Sequence, residues 1–258
     1  MKKYLHNLKL FTIVLALALI TSFANAATRT ASVSGNWNNI ITWGGAAVPV
    51  DGDDVIINAG VTVTTDINTA ALLSLTINGT LTIGNNNTNR TVTVAGNIVI
   101  GSAGVFQSAG NGGNDLNIGG NLTNSGVFNM RDGTAAGADA DVTFNGSTNQ
   151  TVSGAGSTTD FNLIIINNTG TTNNVNNIVT IASLNFTTPA DFLTLTDGTF
   201  RLSTGATLNL TVGNLSIGAA DGFVVNNSGA VVNIGDNNIS VTGGIFQLLS
   251  GTVNLGTG

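Results

Sequence analysis

"GNIVIGSAGVFQSAGNGGNDLNIGGNLTNSGVFN", residues 96–129, decides the fold because it says the same thing twice. Gly104-Val105-Phe106 returns as Gly126-Val127-Phe128, at a spacing of 22. Gly96-Asn97 before Ile98 returns as Gly120-Asn121 before Leu122, at a spacing of 24. Between these marks lie short alternating runs of β-branched and Leu residues, bounded by Gly, Asn and Ser, the pattern of half-buried strands. Working outward, Gly-x-Phe or Gly-Phe units recur at Phe200, Phe223 and Phe246, at spacings of 23 and 23, and a third Gly-Asn falls at Asn214. Similar runs appear in "VIINAGVTVTTD", "LTINGTLTIG", "FNLIIINN" and "LNLTVGNLSIG". No long apolar stripe of helical period follows Ala26.

Strand runs that repeat every 20 to 50 residues mark a stacked-repeat architecture. The reading is therefore all-β: a right-handed parallel β-helix with an N-terminal capping segment. Each coil should hold about three strands, with coils about 4.8 Å apart. Phe and aliphatic stacks would fill the core, and Asn at the bends would form ladders. Residues 51–258 would give about nine coils and a rod on the order of 40 Å. A β-sandwich does not explain the Phe spacing, and the Leu-x-x-Leu-x-Leu pattern of leucine-rich repeats is missing. Between Phe144 and Phe192 the spacing loosens and coil boundaries do not emerge.

Residues 1–26 stand apart. Lys2, Lys3 and Lys9 precede the apolar run 10–20, and Ala24-Asn25-Ala26 is a small-x-small cleavage pattern. This is the design of a secretory signal peptide, so the remaining chain is expected to be secreted, or held at the cell surface, without membrane insertion. All three lysines, the single His6 and the single Tyr4 go with the leader. What remains has four bases (Arg29, Arg90, Arg131, Arg201) against 13 acids, all Asp, so its net charge is 4 − 13 = −9. Nucleic acid and anionic membranes need a basic footprint and are poor partners for such a chain. With no cysteine there is no disulfide framework.

The two ends differ. Residues 27–50 break the pattern with Trp37, Trp43 and Pro49, as a cap on the residue 51–258 coils should. The pair in "WNNIITWGG" could instead be a sugar platform if both rings lay exposed and coplanar. The finish, "LLSGTVNLGTG", stops in mid-pattern. The expectation is a chain truncated at this end, with C-terminal domains of a longer protein beyond Gly258, or a last coil that pairs with a partner.

The segment "GNWNNIITWGGAAVPVDGDDVIINAGVTVTTD…LLSLTINGTLTI", Gly35 to Ile83, resembles the G8 domain. The resemblance lies in Trp37, Thr42 to Gly45, Pro49, Gly52-Asp53, Val55 to Ile57, Ala59 to Val63 and Leu75 to Leu81, and places a G8-like region at about 35–84. It implies an extracellular setting and a β-helix that opens there, and supplies no catalytic residues. The stretch from Asp141 to Gly170 resembles the low-complexity β-helix repeats of large bacterial surface proteins. Many of those are exported by the type IX system and carry a C-terminal sorting domain, which is not visible here.

The mature chain's lack of His, Lys, Glu, Cys and Tyr removes Ser-His and Cys-His nucleophiles, Schiff-base lysines and His-rich metal sites. Only Asp remains for acid–base work. Asp51, Asp53 and Asp54 in "DGDD" form either a calcium site, which wants several oxygens, or a turn whose carboxylates bind nearby N–H groups. The context favours the turn. Asp139 and Asp141, after Arg131-Asp132-Gly133, read as a solvated loop. Thr-x-Thr units at Thr62/Thr64, Thr80/Thr82, Thr91/Thr93 and Thr194/Thr196 would face outward, and stacked in register they could form an ice-binding lattice.

No catalytic, cofactor-binding or metal residue is therefore assigned, and no cofactor. The expected function is a non-enzymatic secreted or cell-surface structural segment of adhesin type, with a polysaccharide or cell-surface glycan as weakly held partner. The alternatives are a module of an extracellular carbohydrate-active enzyme, a polysaccharide lyase or hydrolase working through paired Asp, and then an ice-binding solenoid. Three Asp on one exposed coil face would favour the enzyme.

Overall fold

A computed structural model describes residues 26–84, 88–110, 113–131, 139–169, 178–181, 192–210 and 214–256. Residues 1–25 of the expected leader lie outside them, as do Asp132 and Gly133. Parallel strands stack as a β-solenoid of about eight turns, with almost no helix.

One face can be followed from end to end. Thr28 faces Asp54, Asp54 faces Ser74, Leu75 faces Ile98, Ile98 faces Leu122 and Leu122 faces Val152. Val152 then faces Ile181, Ile181 faces Leu202, Leu202 faces Val225 and Val225 faces Leu248. The coils from Leu122 to Val152 and from Val152 to Ile181 are the two longest of this series, and they blur the period between Phe144 and Phe192. The ladder keeps its register across both, with Leu122 opposite Val152 and Val152 opposite Ile181.

A second face stacks Gly35–Asn36, Thr62–Thr64, Thr80–Ile83, Val105–Ser108, Val127–Asn129 and Thr158–Asp160. A third stacks Ala71–Leu72, Thr91–Val94, Asn114–Ile118, Ala140–Phe144 and Leu163–Asn167. Strand Phe192–Leu202 joins the faces, pairing with Leu163–Asn167 through its first half and Ile178–Ile181 through its second.

Alternation sends every second residue inward. Val55 and Ile57, Leu75 and Ile77, and Ile98 and Ile100 have no exposed surface. The Phe repeats form two stacks on two faces. Phe106 and Phe128 are register partners on the second face, ring centroids 5.9 Å apart and edge to face. Phe200, Phe223 and Phe246 are partners on the first, with parallel rings 5.6 and 5.8 Å apart. The glycine of Gly-x-Phe is needed for backbone approach: a Cβ on Gly126 would lie 2.2 Å from the Gly104 carbonyl oxygen. Such contacts do not occur, so the coils could not close up.

The bends are held by amides. Asn97 Oδ1 accepts from the Asn121 N–H, Asn121 Oδ1 from the Thr151 N–H, and Asn214 Oδ1 from the Asn238 N–H, at 2.8, 2.8 and 2.9 Å. Each repeated Gly-Asn thus clips its coil to the next. A second ladder runs from Asn209 through Asn233 to Asn254, with the later amide donating to the earlier. Buried amides do the same work inside: Gln150 Nε2 donates to the carbonyls of Ile118 and Gly120 at 2.9 and 2.6 Å. Left unpaired, such groups would be costly in a dry core.

Candidate functional site

Trp37 and Trp43 are almost wholly buried, at 0% and 3% exposure. Their centroids lie 4.9 Å apart with planes at 73°, edge to face. This is the cap arrangement, and it rules out a flat sugar platform. The local sequence explains it. Asn39 Oδ1 accepts from the Ile41 N–H and starts a 3-10 turn over Ile40–Trp43. Gly44 and Gly45, with φ of 68° and 80°, end that turn in left-handed backbone that disfavours other residues. Buried Thr42 donates through Oγ1 to the Asn36 carbonyl, and Trp43 Nε1 donates to the Trp37 carbonyl at 2.7 Å. Trp37 Nε1 is buried without a partner.

The "DGDD" carboxylates are each taken up separately. Asp51 Oδ1 accepts from the Ala71 N–H at 2.7 Å, and Asp54 Oδ1 accepts from Ser74 Oγ. Asp53 is buried; its Oδ1 accepts from the Ala27 N–H, and its Oδ2 from the Val50 N–H and Arg29 Nε, all at 2.9–3.0 Å. Burial opposes the charge on Asp53, but the Val50 and Ala27 N–H groups and Arg29 outweigh it and hold the carboxyl below its ordinary range. This is the turn, used as a clamp. Among the described residues no group of three or more acidic or His side chains could hold a metal ion.

The third face brings together what the sequence separates. Asp115 and Asp141 are register partners on adjacent coils, with Thr91 on the coil before. Thr91 Oγ1 donates to Asp115 Oδ2 at 3.3 Å, and Asn162 Nδ2 to Asp141 Oδ1 at 3.1 Å. Partial burial raises the Asp141 pKa; the Asn162 hydrogen bond pulls the other way, and the charges of Asp115 and Asp139 add to the rise. Asp115, on the coil before, and Asp139 thus both act on Asp141, which belongs to a strand rather than to a solvated loop and is half-buried. Like charges on neighbouring strands cost stability, and perturbed carboxyls of this kind collect at functional sites. Residue reading missed Asp115 because its partner lies a full coil further along the chain; only the coil register joins them.

The threonine rows are short. Thr62 and Thr64 face Thr80 and Thr82, but the next coil presents Val105 and Gln107. Thr82 is itself buried at 8% exposure, and Thr91/Thr93 stand on another face. The arrangement is no extended lattice. An open pocket at the last coil, lined by Ile234, Asp236, Asn238 and Leu255, brings a single carboxylate and no partner for it. No helix of the described residues is long and apolar enough to cross a membrane.

The model of the G8 domain matches residues 42–173. That span reaches well past the Gly35–Ile83 motif and takes in the acidic face as well as the Asp141–Gly170 stretch. No curated protein and no solved structure matches the chain. A match over half the chain, on a solenoid opened by a Thr-Trp-Gly-Gly turn, settles the family: the chain belongs to the G8 domain family.

Proposed function

We propose that this chain is a non-enzymatic structural module of a secreted or cell-surface protein, of adhesin type, with a polysaccharide or surface glycan as a weakly bound partner. The observation that carries the reading is the continuous ladder from Thr28 to Leu248, sealed at its start by the tryptophan pair. Such a stack is stiff because each coil contacts its neighbours along its whole length. G8 domains occur in extracellular proteins, and the sequence carries a secretory leader with Ala24-Asn25-Ala26 at its end. Outward Asn and Thr supply weak hydrogen bonds to sugar hydroxyls. The test is export of the full chain from a bacterial host, followed by binding and turnover assays on a panel of polysaccharides. Export, with weak binding and no turnover, is the expected result; retention in the cytoplasm overturns the reading.

The acidic face favours one second reading, a carbohydrate-active module. Two Asp on facing coils, with the Asp141 carboxyl raised above its ordinary range by partial burial, are the parts a glycosidase uses. Turnover lost in both Asp115→Asn and Asp141→Asn would establish it.

A further inference from the structure

Two independent features meet at Ala27. In the sequence, the small-x-small pattern Ala24-Asn25-Ala26 puts the leader cut between Ala26 and Ala27. In the fold, Ala26 is exposed, whereas the Ala27 N–H donates to Asp53 Oδ1 at 2.9 Å and its carbonyl accepts from the Asp54 N–H at 3.0 Å. The β-ladder begins at the very next position, Thr28. Asp53 is 1% exposed, yet it faces a single cation, Arg29, at 3.0 Å.

We propose that Asp53 is the receptor for the mature N-terminus: leader removal turns the Ala27 amide into an α-ammonium held on this buried carboxylate. The step is hydrolysis. Water adds across the Ala26–Ala27 peptide bond, the C–N bond breaks, and Ala26 leaves as the leader's carboxylate. The Ala27 nitrogen takes up protons to become an ammonium with three donors where the amide had one. Charge-assisted hydrogen bonds of this kind are roughly twice as strong as neutral ones. The other charged groups nearby are engaged elsewhere: Asp51 with the Ala71 N–H, Asp54 with Ser74, and Arg29 with the second oxygen of Asp53. Processing then completes the cap, tying the first strand to the turn that leads into the second.

The inference rests on the export reading above, and the experiment separates the two. The full chain is exported from a bacterial host and the N-terminus of the product read by mass spectrometry; the expected start is Ala27. The α-amine of that product is then titrated by NMR. An unconstrained α-amine titrates at about 7.7–8.0, and here the expected value is at least about one unit higher, a tenfold shift. The value should return to the ordinary range in Asp53→Asn. Acetylating Ala27 keeps the N–H donor and removes only the charge, so it tests the same point in a chain with an intact Asp53. The raised pKa stabilises fully below the unfolded value and fades as pH rises through the folded one. The unacetylated chain should therefore melt higher at pH 6, and the two should converge above about pH 10. A start at another residue overturns both the leader cut and the inference. A start at Ala27 with an ordinary titration and equal melting of the two forms overturns the inference alone.

Discussion

The first and last coils of this solenoid are built from the same strand chemistry and end in opposite ways. At the first, Trp37 and Trp43 close over the core, and Asp53 gathers Arg29, Val50 and Ala27 around one carboxylate. At the last, Ile245, Phe246, Leu248, Leu249 and Leu255 are 37–76% exposed, and among the described residues nothing pairs with the outer edge of Ile245–Leu255. Residues 237–258 carry no charge and no proline, the usual guards of an open edge. In a stack held by nearest neighbours, an end coil is supported from one side only. The capped end replaces the missing neighbour with tryptophan; among the described residues no such cover lies over the apolar side chains of the other end.

The contrast is broken most directly at Trp37. Trp37→Ala removes a fully buried ring and should cost about 3–5 kcal/mol, the range for aromatic truncations in a core. The two cap tryptophans are the only ones in the chain, so fluorescence reports the cap and far-UV circular dichroism the whole stack. In the variant, Trp43 fluorescence should shift at lower urea than the circular dichroism. Coincident transitions would mean that the cap and the coils unfold as one unit.

Asp53→Asn should cost about 1.5–3 kcal/mol at pH 7, the worth of hydrogen bonds to a charged group. Because the folded pKa of Asp53 lies below its unfolded value, this stabilisation is present above about pH 3.9. It is lost as pH falls through the lower folded value. Urea midpoints of wild type and variant should thus differ at pH 7 and converge only at strongly acid pH. Asp141 has the reverse sign. Its folded pKa is raised, so its charge is a penalty at neutral pH that is relieved as pH falls through that value. Asp141→Asn should leave the midpoint at pH 7 equal to or above wild type and lose that advantage in acid. A lower midpoint at pH 7 would show that the hydrogen bond from Asn162 outweighs the repulsion.

What could be read from the sequence follows from how each feature is encoded. The Phe and Gly-Asn repeats sit at the period itself, so they gave away the stacking, and Asn97 and Asn121 form the ladder their spacing implies. Trp37, Trp43 and the Gly44-Gly45 pair are encoded locally and read as a cap. The two Phe clusters share one motif, but spacing does not say which face a residue joins; only pairing puts Phe106 and Phe200 on different faces. Coil boundaries failed where the steps lengthen, from Leu122 to Val152 and from Val152 to Ile181, since a longer step changes the spacing while the strand pairing carries on. The acidic face was hidden for the same reason. Asp115 and Asp141 meet through register, which sequence distance does not reveal when coil lengths vary.

The strand Ile245–Leu255 offers the smallest effects and the sharpest check on the contrast. Phe246 stacks on Phe223 at 5.8 Å but is 37% exposed, so Phe246→Ala should cost only about 0.5–1.5 kcal/mol, the worth of such a ring pair. Leu255 is 76% exposed, and Leu255→Lys should stay within about 0.5 kcal/mol, as surface substitutions do. Neither change should move the fluorescence of the distant cap, because coupling in a linear stack passes from coil to coil and weakens with each. Leu255→Lys also sets a charge on an edge that has none, which should discourage edge-to-edge pairing between copies. Light scattering of the two proteins at equal concentration would measure that. A destabilisation by Leu255→Lys as large as that of Trp37→Ala would mean that the last coil is buried in solution, and that the two ends are not so different after all.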